Sequence, residues 1–119
     1  MLHINKCLPE QELDYIQSLP DVLLAKEKLA HFTDAGAVYF KITLTEGLKS
    51  TLSTSLALDL SNITEIPMRW IKGDTMPHKD QGESDFTNTY LIYLTDSSGE
   101  FVLDDTAFSI QKNSGFIFN

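Results

Sequence analysis

Asn88–Asn119 reads NTYLIYLTDSSGEFVLDDTAFSIQKNSGFIFN, four short apolar runs divided by small polar residues, and this stretch decides how the chain is built. Runs of four to eight residues rich in Tyr, Ile, Val and Phe, bounded by Asp, Asn, Ser and Gly, read as strands joined by turns. They fall near 88–95, 100–104, 107–111 and 115–119, and two more lie upstream near 66–72 and 76–80. Asp96-Ser97-Ser98-Gly99 has the composition of a hairpin loop, and Lys112-Asn113-Ser114-Gly115 turns the chain again. Such a succession is how an antiparallel sandwich or barrel reads. The final run, GFIFN, is apolar with no polar tail, and a core strand of that kind expects a neighbour on its edge.

The N-terminal half has a different texture. Pro9 followed by Glu10, Glu12 and Asp14 marks a helix start, since proline suits the first helical turn and carboxylates suit the positive end of the helix dipole. Leu13, Ile16 and Leu19 form its apolar stripe. Val38, Phe40, Ile42 and Leu44 alternate with Tyr39, Lys41 and Thr43, the period of a strand with one face on a core. Leu48, Leu52, Leu56 and Leu60 recur every four residues and predict a second helix packed on a sheet. The expected class is therefore α+β, mainly β, in one domain over 1–119: an N-terminal strand and helix layer over 1–62, then strands over 66–119.

Composition narrows the partners. A formal charge of −8 with no Lys/Arg cluster disfavours a nucleic-acid groove or an anionic membrane surface, leaving small molecules and proteins. With no run of about 18 apolar residues and no charged-then-apolar pattern of a leader in the sequence, neither a membrane span nor a secretory signal is expected. Cys7 is the single cysteine, so no internal disulfide forms, and a cytoplasmic, reducing location is expected.

The candidate chemistry lies in Met76-Pro77-His78-Lys79-Asp80-Gln81-Gly82. On a strand His78 and Asp80 share a face, with Cα atoms about 6.6 Å apart. An imidazole nitrogen and a carboxylate oxygen so placed suit Fe(II), Mn(II) or Zn(II) and leave coordination positions open. The bland reading is a surface turn, because with three histidines a His-x-Asp arises by chance in about a quarter of such sequences.

The order of elements around that pair resembles the Fe(II)- and 2-oxoglutarate-dependent oxygenases, most closely their prolyl-hydroxylase-like branch. The matching pieces are RWIKGDTMPHKD, TYLIYLTD, SSGEFVLDD and NSGFIF, and LHINKCLPEQELDYIQSL looks like the entry strand and first helix of that branch. The resemblance implies a double-stranded β-helix, or jelly roll, with N-terminal helices packed on one sheet. It implies His78 and Asp80 as two of three iron ligands, with Fe(II), 2-oxoglutarate and O2 taking part and ascorbate as an auxiliary reductant. It further implies hydroxylation of a C–H bond in a protein side chain or small molecule. Trp70 and Tyr93 fall where family members line the cosubstrate pocket, and strand alternation sets Leu91 and Thr95 on the face of Tyr93. Aromatic residues on strands are, however, more often core than ligand contacts.

The family's third ligand is a histidine on the seventh strand, followed about ten residues later by an Arg or Lys that grips the cosubstrate carboxylate. The sequence reads as stopping at Asn119, after the sixth strand, so the last two barrel strands are expected to be absent from it. His3 and His31 lie in the N-terminal layer, Arg69 alternates away from Trp70, and Lys112 sits in a turn. Three explanations stay open: a fragment, a second chain that completes the barrel, or a relative that keeps the fold without catalysis. The competing class is a β-sandwich that binds a ligand or partner without redox chemistry. A cupin-like site is a nearby variant, but the chain has no His-x-His pair.

Overall fold

A computed structural model describes residues 2–73 and 88–118. The described chain is α+β with more strand than helix. Its elements are β1 (Leu2–Ile4), α1 (Glu10–Ser18), α2 (Pro20–Ala30), β2 (Gly36–Thr43), α3 (Glu46–Leu56), β3 (Glu65–Lys72), β4 (Thr89–Tyr93), β5 (Glu100–Leu103), β6 (Thr106–Ser109) and β7 (Ser114–Phe118). They gather into two compact units, one of Met1–Pro9 with His78–Asn119 and one of Glu10–Pro77. The predicted strand at 76–80 lies outside the described residues.

In the second unit, β2 and β3 form an antiparallel ribbon in unbroken register from Gly36↔Lys72 to Thr43↔Glu65. One face carries Val38, Phe40 and Ile42 with Ile66, Met68 and Trp70, and α2 packs over the ribbon. The sequence predicts one helix ending near Leu19, but a second follows at once. Pro20 cannot continue α1, yet its fixed φ suits the first position of α2, and Leu19 between them is extended (φ −62°, ψ 137°). Only Val22 and Ala25 of α2 are buried, while Leu23 and Leu24 face outward, so the apolar stripe is thin and blurred. α3 follows the Leu48, Leu52, Leu56 stripe, all buried, and Thr45 caps it by accepting a hydrogen bond from Leu48 N–H at 3.1 Å. It ends at Leu56, four residues before the last leucine of the stripe, with the left-handed Ala57 (φ 53°) as its C-cap. The Thr51 hydroxyl donates to Glu12 Oε1 at 2.6 Å, tying α3 to α1.

The first unit is a folded ribbon. β4 pairs antiparallel with β7, and β5 with β6. The predicted hairpin at Asp96–Gly99 is therefore corrected, because β4 and β5 are not partners; the tight turn is Asp104-Asp105, both at positive φ (49° and 67°), as a type I′ turn requires. The Asp96 segment instead runs beside the return connection. Asp96 Oδ1 accepts from Lys112 N–H at 2.8 Å, and Ser97 N–H donates to Ile110 O at 3.3 Å. The two strands of the ribbon thus stay side by side through the bend between the two sheets. Phe101 of β5 and Phe108 of β6 pack on Phe116 of β7, with ring centroids 4.7 and 5.5 Å away.

β7 has both edges occupied. Beyond β4 on one side, β1 pairs with it on the other, Leu2↔Ile117, His3↔Phe116 and Ile4↔Gly115. The neighbour that GFIFN calls for is thus the entry strand, which joins this sheet and not the helical layer of 1–62. Asn113, left-handed at φ 66°, locks the junction: its side chain accepts from Leu8 N–H at 2.9 Å and donates to Leu8 O at 2.7 Å, while its backbone N–H donates to Tyr93 O at 2.7 Å. Cys7 is buried against Gly115, the residue whose missing Cβ makes room for its sulfur.

Candidate functional site

His78 and Asp80, the metal ligands expected from the sequence, lie outside the described residues, as does the Gln81–Phe86 loop beside them. Among the described residues no group of three His, Cys, Asp or Glu side chains comes together to hold a metal ion.

The three residues expected around a cosubstrate are described, and they fall in different units. Leu91 and Tyr93 share one face of β4, as alternation predicts; β4 ends at Tyr93, so Thr95 lies beyond the strand. That face carries Phe116, Phe118 and His3 on the neighbouring strands, because Leu91 and His3 both sit opposite Phe116. Tyr93 meets Phe116 edge to face, centroids 6.0 Å apart at 82°, and Phe101 at 6.3 Å. His3 stacks flat on Phe116 at 4.5 Å and 6°. Phe116 is fully buried at the centre of this cluster. Offset and edge-to-face contacts of this kind are the favoured geometries of aromatic quadrupoles, each contributing about 0.5–1.5 kcal/mol beyond area burial.

Trp70, in the other unit, points to the helix-covered face of β3. Its indole N–H donates to Val22 O at 3.0 Å, and Lys26 Nζ lies 5.5 Å from the ring centroid. The ring therefore fastens α2 to the β2–β3 ribbon. Its one hydrogen-bond donor is engaged there.

Two polar residues hold positions that the local sequence pattern does not reveal. His3 lies within the aromatic face, a placement set by a strand pairing more than 110 residues distant and invisible to local pattern. The sequence marks Asn113 only as a turn residue; Asn before Ser-Gly is a left-handed signal, though its grip on Leu8 has no local signature. Elsewhere, the Asp59 carboxyl is held below its ordinary range because the Ser61 backbone N–H and then its side chain hydrogen-bond to it. Burial pushes the Cys7 thiol above its ordinary range.

Comparison with known proteins finds no family model, no curated protein and no solved structure that matches the chain. No helix among the described residues is long and apolar enough to cross a membrane.

Proposed function

We propose that this chain belongs to a double-stranded β-helix oxygenase domain that uses Fe(II) and 2-oxoglutarate to hydroxylate a protein side chain or a small molecule. The observation that carries the reading is the nested pairing of the ribbon: β5 with β6 inside, β4 with β7 outside, folded over an aromatic filling. A jelly roll is such a ribbon wrapped around a core, each outer pair enclosing the next. In that scheme the strand preceding β4 forms the next pair outward, and His78-x-Asp80 is the motif that precedes β4.

The donor set fits a hard or borderline ion in part. His78 supplies a nitrogen and Asp80 an oxygen, two corners of a facial triad, and they are the residues that would hold the metal. The third ligand and the cation for the cosubstrate carboxylate have no assigned residue, so the roles of this chain's residues stop at binding and shielding. When bound, the iron and 2-oxoglutarate supply oxidative decarboxylation coupled to C–H oxidation. Tyr93 and Leu91 would close the pocket floor, with Phe116 behind them excluding water. Trp70 would act only through its hold on α2.

The test is succinate formation from 2-oxoglutarate by the encoded protein with Fe(II), compared with His78→Ala and Asp80→Ala. Loss of turnover in both variants supports the reading, and turnover indifferent to them refutes it. A non-catalytic β-sandwich that binds a partner is the second reading, favoured by the engagement of Trp70 and Tyr93 in packing. Stoichiometric Fe(II) or Mn(II) binding that depends on His78 and Asp80 counts against it.

A further inference from the structure

Among the described residues no strand pairs with the outer edge of β2, and the phase of the β2–β3 ladder can be read. Leu44 N–H donates to Thr64 O at 2.9 Å, one step beyond the Thr43↔Glu65 pair. In an antiparallel ladder the closely bonded pairs alternate with unbonded ones, so Ile42↔Ile66, Phe40↔Met68 and Val38↔Trp70 are the bonded pairs. The backbone N–H and C=O groups of Ala37, Tyr39, Lys41 and Thr43 therefore point away from β3. The same phase explains Pro67, opposite Lys41: its missing N–H falls on the outward side of β3, where the ladder loses nothing and that edge lacks a donor.

The outer edge of β2 has no such block. It presents four donor and acceptor pairs in a row, and among the described residues none of these groups takes a hydrogen bond. Tyr39, in its middle, is 73% exposed, and Lys41 and Thr43 are exposed beside it. An eight-residue edge of this kind is a template for strand addition.

The sequence of the edge indicates what fits it. We propose that β2 pairs antiparallel with β2 of a second copy of this chain, about a two-fold axis at Phe40. That register uses all four outward residues, setting Tyr39 against the partner copy's Lys41 and Ala37 against its Thr43. A tyrosine ring beside an ammonium is attractive, and no like charges oppose. The covered face extends as well, with Phe40 meeting its own mate and Val38 meeting Ile42. Moving the axis to Lys41 would oppose two lysines; moving it to Tyr39 would leave a bonded pair unused. The resulting four-stranded sheet has both α2 helices on one face, and α2 carries the exposed Leu23 and Leu24. Strand pairing of this extent without a large apolar interface gives a weak dimer, and the −8 charge on each copy opposes it, so added salt should favour association.

Sedimentation equilibrium across a concentration series tests this in the full chain. A monomer–dimer equilibrium that tightens with salt is expected. Tyr39→Lys places lysine against Lys41 twice per dimer and should weaken association about tenfold. Tyr39→Lys combined with Lys41→Glu restores opposite charges in this register alone and should recover it, while far-UV circular dichroism stays unchanged in all three proteins. A wild-type chain that remains monomeric, a dimer indifferent to Tyr39→Lys, or a double variant that fails to recover overturns the pairing.

Discussion

Gly115→Ala is the sharpest test of how the N-terminal strand is seated. A Cβ at this position would overlap Cys7 Sγ, and it would stand 3.4 Å from Leu91 O and 3.7 Å from Ile92 Cγ1. Neither partner has room to yield. Gly115 lies on the central strand of its sheet, opposite Ile4 on one side and Ile92 on the other, and Cys7 is fixed by its N–H donating to Asn113 O at 3.0 Å. Overpacking in a closed core costs about 1–3 kcal/mol. Removing the sulfur alone, by Cys7→Ala, leaves a small void and costs about 1–2 kcal/mol. In the double variant the new methyl at position 115 enters the space the sulfur vacates, so the combined loss should fall short of the sum by about 1–2 kcal/mol. A domain of this length has roughly 6–18 kcal/mol to lose, so all three variants should remain folded and measurable. Urea unfolding followed by far-UV circular dichroism gives the cycle, with equal m-values as the check on comparability. Additivity within about 0.5 kcal/mol, or a Gly115→Ala cost below that figure, would refute the steric argument.

Asn113→Ala removes both side-chain bonds to Leu8 and places alanine at positive φ, for a loss of about 2–4 kcal/mol in urea unfolding. Asn113→Asp keeps the acceptor for Leu8 N–H and should cost less; the reverse order would contradict the assigned bonds. Ala57→Gly relieves the left-handed end of α3 and should stabilise by about 0.5–1 kcal/mol, read as a higher urea midpoint; a lower one speaks against strain there. Because burial raises the Cys7 pKa, its contribution is complete below the ordinary thiol range and is lost as pH rises through the raised folded value. Wild type should therefore lose stability relative to Cys7→Ala as pH is raised from 8 toward about 10.5, and a constant difference would contradict the burial.

The short strands were legible because each carries its own alternation and its own turn residues. β3 and β5–β7 lie within a residue or two of their predicted bounds, and the leucine stripe found α3. Partnership was another matter. Asp96–Gly99 has the composition of a hairpin loop, yet composition records only that the chain turns, and the neighbour of β4 was decided by which strand could bury Phe116. α2 was missed because Pro20 is both a helix breaker and a helix starter, and two outward leucines obscure its buried stripe. Of the candidate site, the sequence placed Leu91 and Tyr93 on a common face as found. It could not show that Trp70 would commit its N–H to Val22, since that bond joins elements 48 residues apart.

The pairing of Leu2–Ile4 with Ser114–Phe118 orders events during synthesis. β1 is made more than 110 residues before its partner β7, so at about 5–20 residues per second it waits roughly 6–20 s. Glu10–Pro77 is complete long before then and can fold ahead, its α2 settling on β2 and β3 through contacts made within one stretch of chain. The sheet β1-β7-β4 closes only once Ser114–Phe118 has been made. Until it does, Ile4 and the Cys7 thiol are carried unprotected, and chaperone binding and oxidation of the nascent chain should concentrate at Ile4–Cys7.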